Sequence, residues 1–401
     1  MSATMTSKER VLTALSLEEP DRVPIAMRAM EPLNHLWSDP FERALILRDR
    51  FGIDDFLVVA FPWIYPPSVE EKTTWQTYGE QNDPLLVTEY HTPAGVLRNS
   101  VRMTDDYHVE RLNLEADQLM PRMVDHTIKD AADVERFRYL LGTPDQRDLR
   151  HWEEQLQAYV EFGRREGFPV ALYVPSASAI AMKNIGTLEM VIRAMDGDAM
   201  VQELLDALTQ WALAWIDHAA RLEPDIIYYS GVYESTDFWS PTLFRRFFAP
   251  IHKSLSKRAH AHGLKYINYI TTGIDGIMYE LRGLGIDAIY GWDSTPPGDA
   301  DIHRLRDVLG GEMAFWGGIS PTFVVERATP KRVREQVRDH IAVLAPGGGY
   351  ILCTGGSVFY EERAGLGGDT WGGQPEESRA YNNLFTLFEA GLEYGRFPIE
   401  S

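Results

Sequence analysis

Residues 266–273 read YINYITTG. The phenol of Tyr269 and the hydroxyls of Thr271 and Thr272 can make directed hydrogen bonds, but none of them is a thiolate, imidazole or carboxylate able to grip zinc. Comparable groups follow the other apolar runs of the chain. Arg28 and Glu31 come after VPIAM, Pro62, Trp63 and Tyr65 after DFLVVA, and Ser176 and Ser178 after PVALYV. Tyr229, Tyr233, Glu234 and Asp237 surround the end of DIIYYS; Trp292 and Asp293 follow DAIYG. Trp316 ends EMAFWG, and Ser357 and Tyr360 lie beyond GYILC. This set is rich in aromatic rings and hydroxyls and poor in histidine, which suits a flat, mostly apolar ligand held by stacking and a few hydrogen bonds. The same rings could instead cap a core, and the sequence leaves both readings open residue by residue. Arg28 can take a carboxylate or phosphate by a two-pronged contact, or pair with Glu31.

These residues need elements to bring them together. Eight strand-like runs, at 23–27, 55–60, 169–174, 225–230, 264–269, 287–291, 312–317 and 349–353, alternate with amphipathic helical stretches. The count predicts a (β/α)₈ TIM barrel, in which side chains past the strand ends converge over a packed interior. Helix signals are explicit: Thr6 with Glu9 is a capping box, residues 199–222 keep an apolar stripe, and Ser240–Pro241 and Thr329–Pro330 each pair an N-cap with a first-turn proline. Between about 68 and 125 the pattern turns to alternating strands with a TPAG hairpin signal at 92–95, predicting a β insertion after the second barrel strand. The glycine-rich run 355–378 predicts a substrate loop. One domain spanning 1–401 is expected.

Composition excludes several classes. The 401 residues are 44 % apolar, enough for a large core, and carry a formal charge of −20 with no basic tract, which argues against nucleic acid and anionic membranes. The charged start and the lack of any run near the roughly 18 apolar residues of a membrane span predict a cytoplasmic protein. A single cysteine, Cys353, rules out a disulfide framework and multi-thiolate metal sites, and its apolar neighbours read as core. His260 and His262 sit at a helix end beside Gly263, where cations suit the helix dipole better than a metal site would.

The stretches TSKERVLTALSLEEPDRVP at 6–24, SPTLFRRFFAPIHKSLSKRAHAHG at 240–263, LGIDAI at 284–289, and WGGIS with ATPKRVREQVRDHIAVLAPGGGYIL at 316–352 resemble the uroporphyrinogen decarboxylase superfamily, which includes cobalamin-dependent methyltransferases. In the branch of that family that activates thiols, a His-x-Cys-Gly stretch and a later cysteine hold zinc. By the resemblance, these positions fall on Tyr269, Thr271, Thr272 and Gly356, so no zinc is expected. Porphyrinogen decarboxylases carry Arg-x-x-x-Arg after the first strand; here Arg28 is followed by Pro32 at the second position.

The resemblance therefore implies a demethylating methyltransferase that moves a methyl group from a small methoxylated aromatic donor to a corrinoid. Tyr269, Tyr229 or Glu234 would serve as general acid or hydrogen-bond donor, and Trp63, Trp292 or Tyr233 would stack on the ring. Arg28 would hold a carboxylate. The remaining rim groups, Glu31, Asp237, Thr271, Asp293, Trp316, Ser357 and Tyr360, are expected around the substrate. A separate carrier protein would bring the corrinoid, and a homodimer is implied by the family. A decarboxylase or lyase of a carboxylated substrate, and a non-catalytic binding protein, remain open at this point.

Overall fold

A computed structural model describes residues 5–27, 31–80, 82–104, 109–115, 117–296, 298–358 and 378–399. Arg28, Tyr360 and most of the 355–378 run lie outside the described residues, as does the side chain of Glu31.

The chain opens with α1 (Ser7–Leu15), capped as its sequence predicts: Thr6 Oγ1 accepts the Glu9 N–H at 3.2 Å and the Glu9 carboxylate takes the Thr6 N–H at 2.8 Å. Helices α2 (Glu31–Leu36) and α3 (Pro40–Phe51) lead to the short strand β1 (Leu57–Val59). An antiparallel sheet follows, built from β2 (Glu70–Tyr78), β3 (Asp83–Thr92), β4 (Gly95–Arg102) and β5 (Met123–Asp125). This is the expected insertion. Thr92 pairs with Gly95 across a two-residue turn, placing the hairpin at the TPAG signal.

After α4 (Ala131–Phe137) and α5 (Gln146–Glu166), parallel strands and helices alternate. They are β6 (Val170–Val174), α6 (Ala177–Ile185), α7 (Thr187–Asp196), α8 (Ala199–Ala220), β7 (Ile226–Tyr229), α9 (Pro241–Ala261), β8 (Lys265–Tyr269) and β9 (Ala288–Asp293). Then come α10 (Ile302–Leu309), β10 (Ala314–Ile319), α11 (Pro330–Leu344), β11 (Tyr350–Thr354) and α12 (Arg379–Tyr394). Ser240 and Thr329 cap α9 and α11, each with proline at the first turn.

The parallel strands form one curled sheet in the order β1-β6-β7-β8-β9-β10-β11. The eighth expected strand, 23–27, joins β11 through a single parallel bridge, Ile25 to Leu352. Its other edge forms no ladder with β1 among the described residues, and one local cause is visible. The Ile25 N–H is taken at 3.1 Å by Asp54, a carboxylate that also binds Arg10 and Arg22. Helices pack on the outer face of the sheet, and no helix among the described residues is long and apolar enough to cross a membrane.

Candidate functional site

Laterally paired residues of a parallel sheet project to the same face, so register tells which side chains share the inside of the curl. Tyr173 pairs with Tyr228 and Tyr228 with Ile267; one step further along, Tyr269 pairs with Tyr290 and Tyr290 with Trp316. Their rings meet edge to face or tilted. Centroid separations are 5.4 Å for Tyr173–Tyr228, 5.9 Å for Tyr228–Tyr269, 5.3 Å for Tyr228–Tyr290, 5.4 Å for Tyr269–Tyr290 and 5.2 Å for Tyr290–Trp316. One continuous aromatic layer thus lines the inner face near the strand C-termini, where barrel enzymes carry their chemistry. Tyr173 and Tyr269 are half-buried and face the opening; Tyr228, Tyr290 and Trp316 are buried beneath them.

Tyr269 is seated by two glycines. A methyl group on Gly291 would lie 2.2 Å from Cε2 of Tyr269, so the ring can rest there only against bare backbone. Gly291 has φ +78° and is an extra residue in β9, because Trp316 pairs with Tyr290 while Gly317 pairs with Trp292. A methyl on Gly356 would sit 3.8 Å from the Tyr269 hydroxyl. Positions 269 and 356, which the family resemblance assigns to zinc ligands, are therefore neighbours here, occupied by a phenol and a glycine. Asp293 comes to the same corner: a methyl on Gly355 would be 2.8 Å from its Cβ, and its backbone N–H binds Thr271 O at 3.1 Å. Burial pushes the Asp293 carboxyl up, against the hydrogen bonds it receives from the Thr295 N–H and the Ser320 hydroxyl.

The extra residue in β9 also corrects an expectation. It turns Trp292 to the outer face, where the ring is fully buried and stacks on His340 of α11 at 6.1 Å. Burial pulls that histidine down to about 4. Trp292 thus has no face for a substrate ring. Trp316 remains inside but fully buried, with Nε1 donating to Ala26 O at 2.8 Å, so it is floor rather than stacking surface. Trp63 is turned away from the layer and packs on Phe61 and on Trp211 of α8.

Tyr229 and Glu234 are corrected more strongly. Tyr229 alternates with Tyr228 and faces the helices. Its hydroxyl donates to Glu234 Oε1 at 2.7 Å and accepts the Ala177 N–H at 3.1 Å. Ser176 Oγ donates to the same carboxylate oxygen at 3.1 Å and lies 2.6 Å from Ser178 Oγ. Glu234 Oε2 is 2.9 Å from His252 Nε2, out of line for a hydrogen bond, and His252 Nδ1 meets the Tyr266 hydroxyl at 2.9 Å. Tyr229, Glu234, His252 and Tyr266 are wholly buried. Burial first and the Glu234 charge second hold the Tyr229 and Tyr266 phenols well above the ordinary tyrosine range. This cluster braces the sheet against α9 and does not reach the inner face.

Asp237 is a tie between loops: it accepts from Thr272 Oγ1 and from Ser235 Oγ, the latter at 3.3 Å, linking the segments after β7 and β8. Tyr233 packs edge-on against Phe238, and Ser357 begins the segment beyond the Gly355–Gly356 turn. Tyr65 packs against Tyr90 of the insertion. Four inner-face groups escaped the sequence reading: Tyr173, Tyr228, Tyr290 and Glu115. The Tyr173 hydroxyl donates to the Glu115 carboxylate at 2.8 and 2.9 Å. Counting in twos back from each strand end would have found the tyrosines; nothing local marks Glu115.

Among the described residues no cluster of three or more His, Cys, Asp and Glu side chains is arranged to hold a metal ion. His260 and His262 are each bound to a carboxylate, Asp287 and Asp217, both at 2.7 Å. Cys353 is buried, with its thiol pushed up to about 12.

Residues 168–363, from just before β6 to beyond β11, match the family model of uroporphyrinogen decarboxylase (URO-D). The URO-D resemblance read from the motifs thus holds across six of the seven parallel strands. In the solved structures, a methyltransferase from Methanosarcina mazei is similar at TM-score 0.59 with 14 % identity, covering 97 % of this chain and 99 % of its own. That likeness shows a common fold over essentially the whole length. A D-psicose 3-epimerase from Clostridium cellulolyticum H10 follows at TM-score 0.39, 12 % identity, 68 % of this chain and 94 % of its own, too distant to support an argument. No curated protein sequence matches the chain.

Proposed function

We propose that this URO-D-type barrel is a methyltransferase that removes the methyl group of a small methoxylated aromatic compound and passes it to a corrinoid. One observation carries the reading: an aromatic layer on the inner face ends in a phenol, Tyr269, seated at the corner where the thiol-activating relatives' pattern would place zinc ligands. A phenol, a threonine hydroxyl and a glycine do not fit zinc, whose ligands are thiolate, imidazole or carboxylate. The corner fits a hydrogen-bond donor instead.

When the carbon–oxygen bond of an aryl methyl ether breaks, the methyl carbon leaves to the acceptor and the aryl oxygen keeps the electron pair. Tyr269 donates its proton or a hydrogen bond to that oxygen, and Asp293 lies at the same corner. The half-buried rings of Tyr173 and Tyr269 border the opening in which the substrate ring would lie, with Tyr228 and Tyr290 packed beneath them. A reduced corrinoid supplies the nucleophile that takes the methyl group. The buried histidines offer no resident lower ligand for it: His252 is held by Tyr266, and His340 by Gln336 O at 2.8 Å and Ser294 Oγ at 2.9 Å. We take the corrinoid as a co-substrate, brought by a carrier protein or free. Incubating the protein with methoxylated aromatics, with and without added cob(I)alamin, tests this. Demethylated phenol should accumulate only with the reduced corrinoid, and release of carbon dioxide from a carboxylated substrate without it would favour the decarboxylase reading.

A further inference from the structure

A cleft of about 700 Å³ opens beside the barrel, between the segment that follows β1, the β insertion and the first turns of α5. Trp63, Tyr65, Glu71, Arg111, Arg147 and His151 are among its walls, and no residue of the inner aromatic layer borders it among the described residues. Clefts of about 300–1,000 Å³ hold small organic molecules. Room is therefore present outside the inner face.

The wall on the insertion side has bonding capacity to spare. Glu71 of β2 pairs laterally with Tyr90 of β3, and Thr88 of β3 with Asn99 of β4, so all four share one face of the insertion sheet. Tyr65 packs on that face, its ring 5.4 Å from the Tyr90 ring. Tyr65 Oη, Glu71 Oε1, Thr88 Oγ1, Tyr90 Oη and Asn99 Oδ1 are buried, and none has a hydrogen-bond partner among the described residues. Tyr90 Oη lies beside Tyr65 and Asn99 but out of line for a bond with either. Protein interiors pair nearly all such groups, so five in one patch point to a polar guest, and two of them, Tyr65 and Glu71, border the cleft. Arg111 spends Nε and Nη2 on the other oxygen of Glu71, at 2.8 and 2.7 Å, and lies over the Tyr65 ring at 5.7 Å. Glu71 is thus held in place with Oε1 left as an acceptor. Burial, and then the neighbouring Tyr90 and Glu71, hold the Tyr65 phenol well above the ordinary tyrosine range, so its hydroxyl stays a donor.

The wall from α5 is cationic. Arg147 is exposed and paired only loosely with Asp148, at 3.7 Å, and His151 shares its helix face one turn later. We propose that this cleft is a second ligand site, which takes a small aromatic acid carrying a ring hydroxyl. The hydroxyl donates to Glu71 Oε1 and accepts from Tyr65, the ring lies along Trp63, and the carboxylate meets Arg147 and His151. A second carboxylate in place of the hydroxyl is disfavoured, since Glu71 needs a proton donor opposite it. The site does not depend on the methyl-transfer reading. It gives the insertion a role of its own, because β2 carries the selecting carboxylate.

The test is calorimetric titration of the full chain, without corrinoid, with 4-hydroxybenzoate, benzoate and phenol. Wild type should bind 4-hydroxybenzoate about ten-fold or more tighter than benzoate, the worth of a hydrogen bond to a charged group. Glu71→Gln should reduce that preference to about two-fold. Arg147→Gln, at an exposed position, should weaken 4-hydroxybenzoate about three-fold and leave phenol unchanged, and it decides alone if Glu71→Gln fails to fold. Tyr269→Phe, on the inner face, should titrate as wild type does. Equal affinities of wild type for 4-hydroxybenzoate and benzoate, or an unchanged affinity in Arg147→Gln, would overturn the proposal. So would loss of binding in Tyr269→Phe, which would put the acid on the inner face. A chain that binds as expected and never demethylates an aryl ether would keep this site and lose the methyl-transfer reading instead.

Discussion

Tyr228 and Tyr229 are adjacent in sequence and face opposite ways. On the inner face, Tyr228 joins a layer of rings that leads to two half-exposed phenols, Tyr173 and Tyr269. On the outer face, Tyr229 is sealed into a network with Glu234, Ser176 and, through His252, Tyr266. The two faces use the same residue types. Inside, the layer ends in half-buried phenols at an opening; outside, the wholly buried network holds helices to strands. Side-chain chemistry alone does not distinguish a catalytic phenol from a structural one, whereas access and partners do.

The sharpest way to break this comparison is to remove one hydroxyl from each face. Tyr269→Phe should lower kcat for corrinoid-dependent demethylation by about 10²–10⁴-fold, the usual worth of a positioned acid, with KM changed only a few-fold. Tyr229→Phe should leave kcat near wild type and cost about 1–3 kcal/mol in urea unfolding, since it removes one of two donors to a buried carboxylate oxygen and the acceptor of the buried Ala177 N–H. The reverse pattern would mean that the faces have been assigned the wrong way round.

A second prediction concerns the outer network as a whole. Glu234→Ala leaves His252 and Ser176 buried without their carboxylate and should destabilise the fold by about 3–5 kcal/mol. A stability loss within experimental error would show that the cluster is not a strut. Smaller in stability, but diagnostic of the inner face, is Gly291→Ala. The added methyl meets the Tyr269 ring and forces a positive φ on an L-residue, so about 1–3 kcal/mol of strain and a clear fall in kcat should appear together. Unchanged kcat would detach Tyr269 from its glycine seat.

A further prediction concerns a buried carboxyl on neither face. Burial pushes Asp55 up to about 7 from its ordinary 3.8, despite the nearby Arg43 charge and the Phe56 N–H. The native state then holds a proton that the unfolded chain releases, so this group's contribution falls as pH rises from about 4 to about 7. Above that range the ion is buried at a cost. Asp55→Asn should therefore raise the melting temperature more at pH 8 than at pH 5, as calorimetry at the two values would show; an equal shift at both would contradict the raised value.

Much of the frame was legible without coordinates. The Thr6–Glu9 box, Ser240–Pro241, Thr329–Pro330 and the TPAG turn are local devices, each complete within a few residues, and each appears where its sequence places it. The strand runs were legible because fully buried parallel strands are short and continuously apolar. The site was legible only in part. Tyr269, Thr271 and Asp293 converge at the Gly355–Gly356 corner, but Trp292 and Tyr229 lie one residue out of phase with the inner face. A strand end read as a list of residues hides the two-residue period that decides orientation.

The amino-acid sequence by itself determined the alternation of strand and helix, the inserted hairpin, and a phenol and a glycine at the positions that the family resemblance assigns to metal ligands. These depend on composition and on contacts between near neighbours. The tertiary structure alone decided which tyrosine of each strand faces inward, and it turned Trp292 outward through the bulge at Gly291 in β9. It also brought Glu115 across 58 residues to Tyr173. Both outcomes depend on how separate segments pack against one another, and no stretch of sequence carries that information within itself.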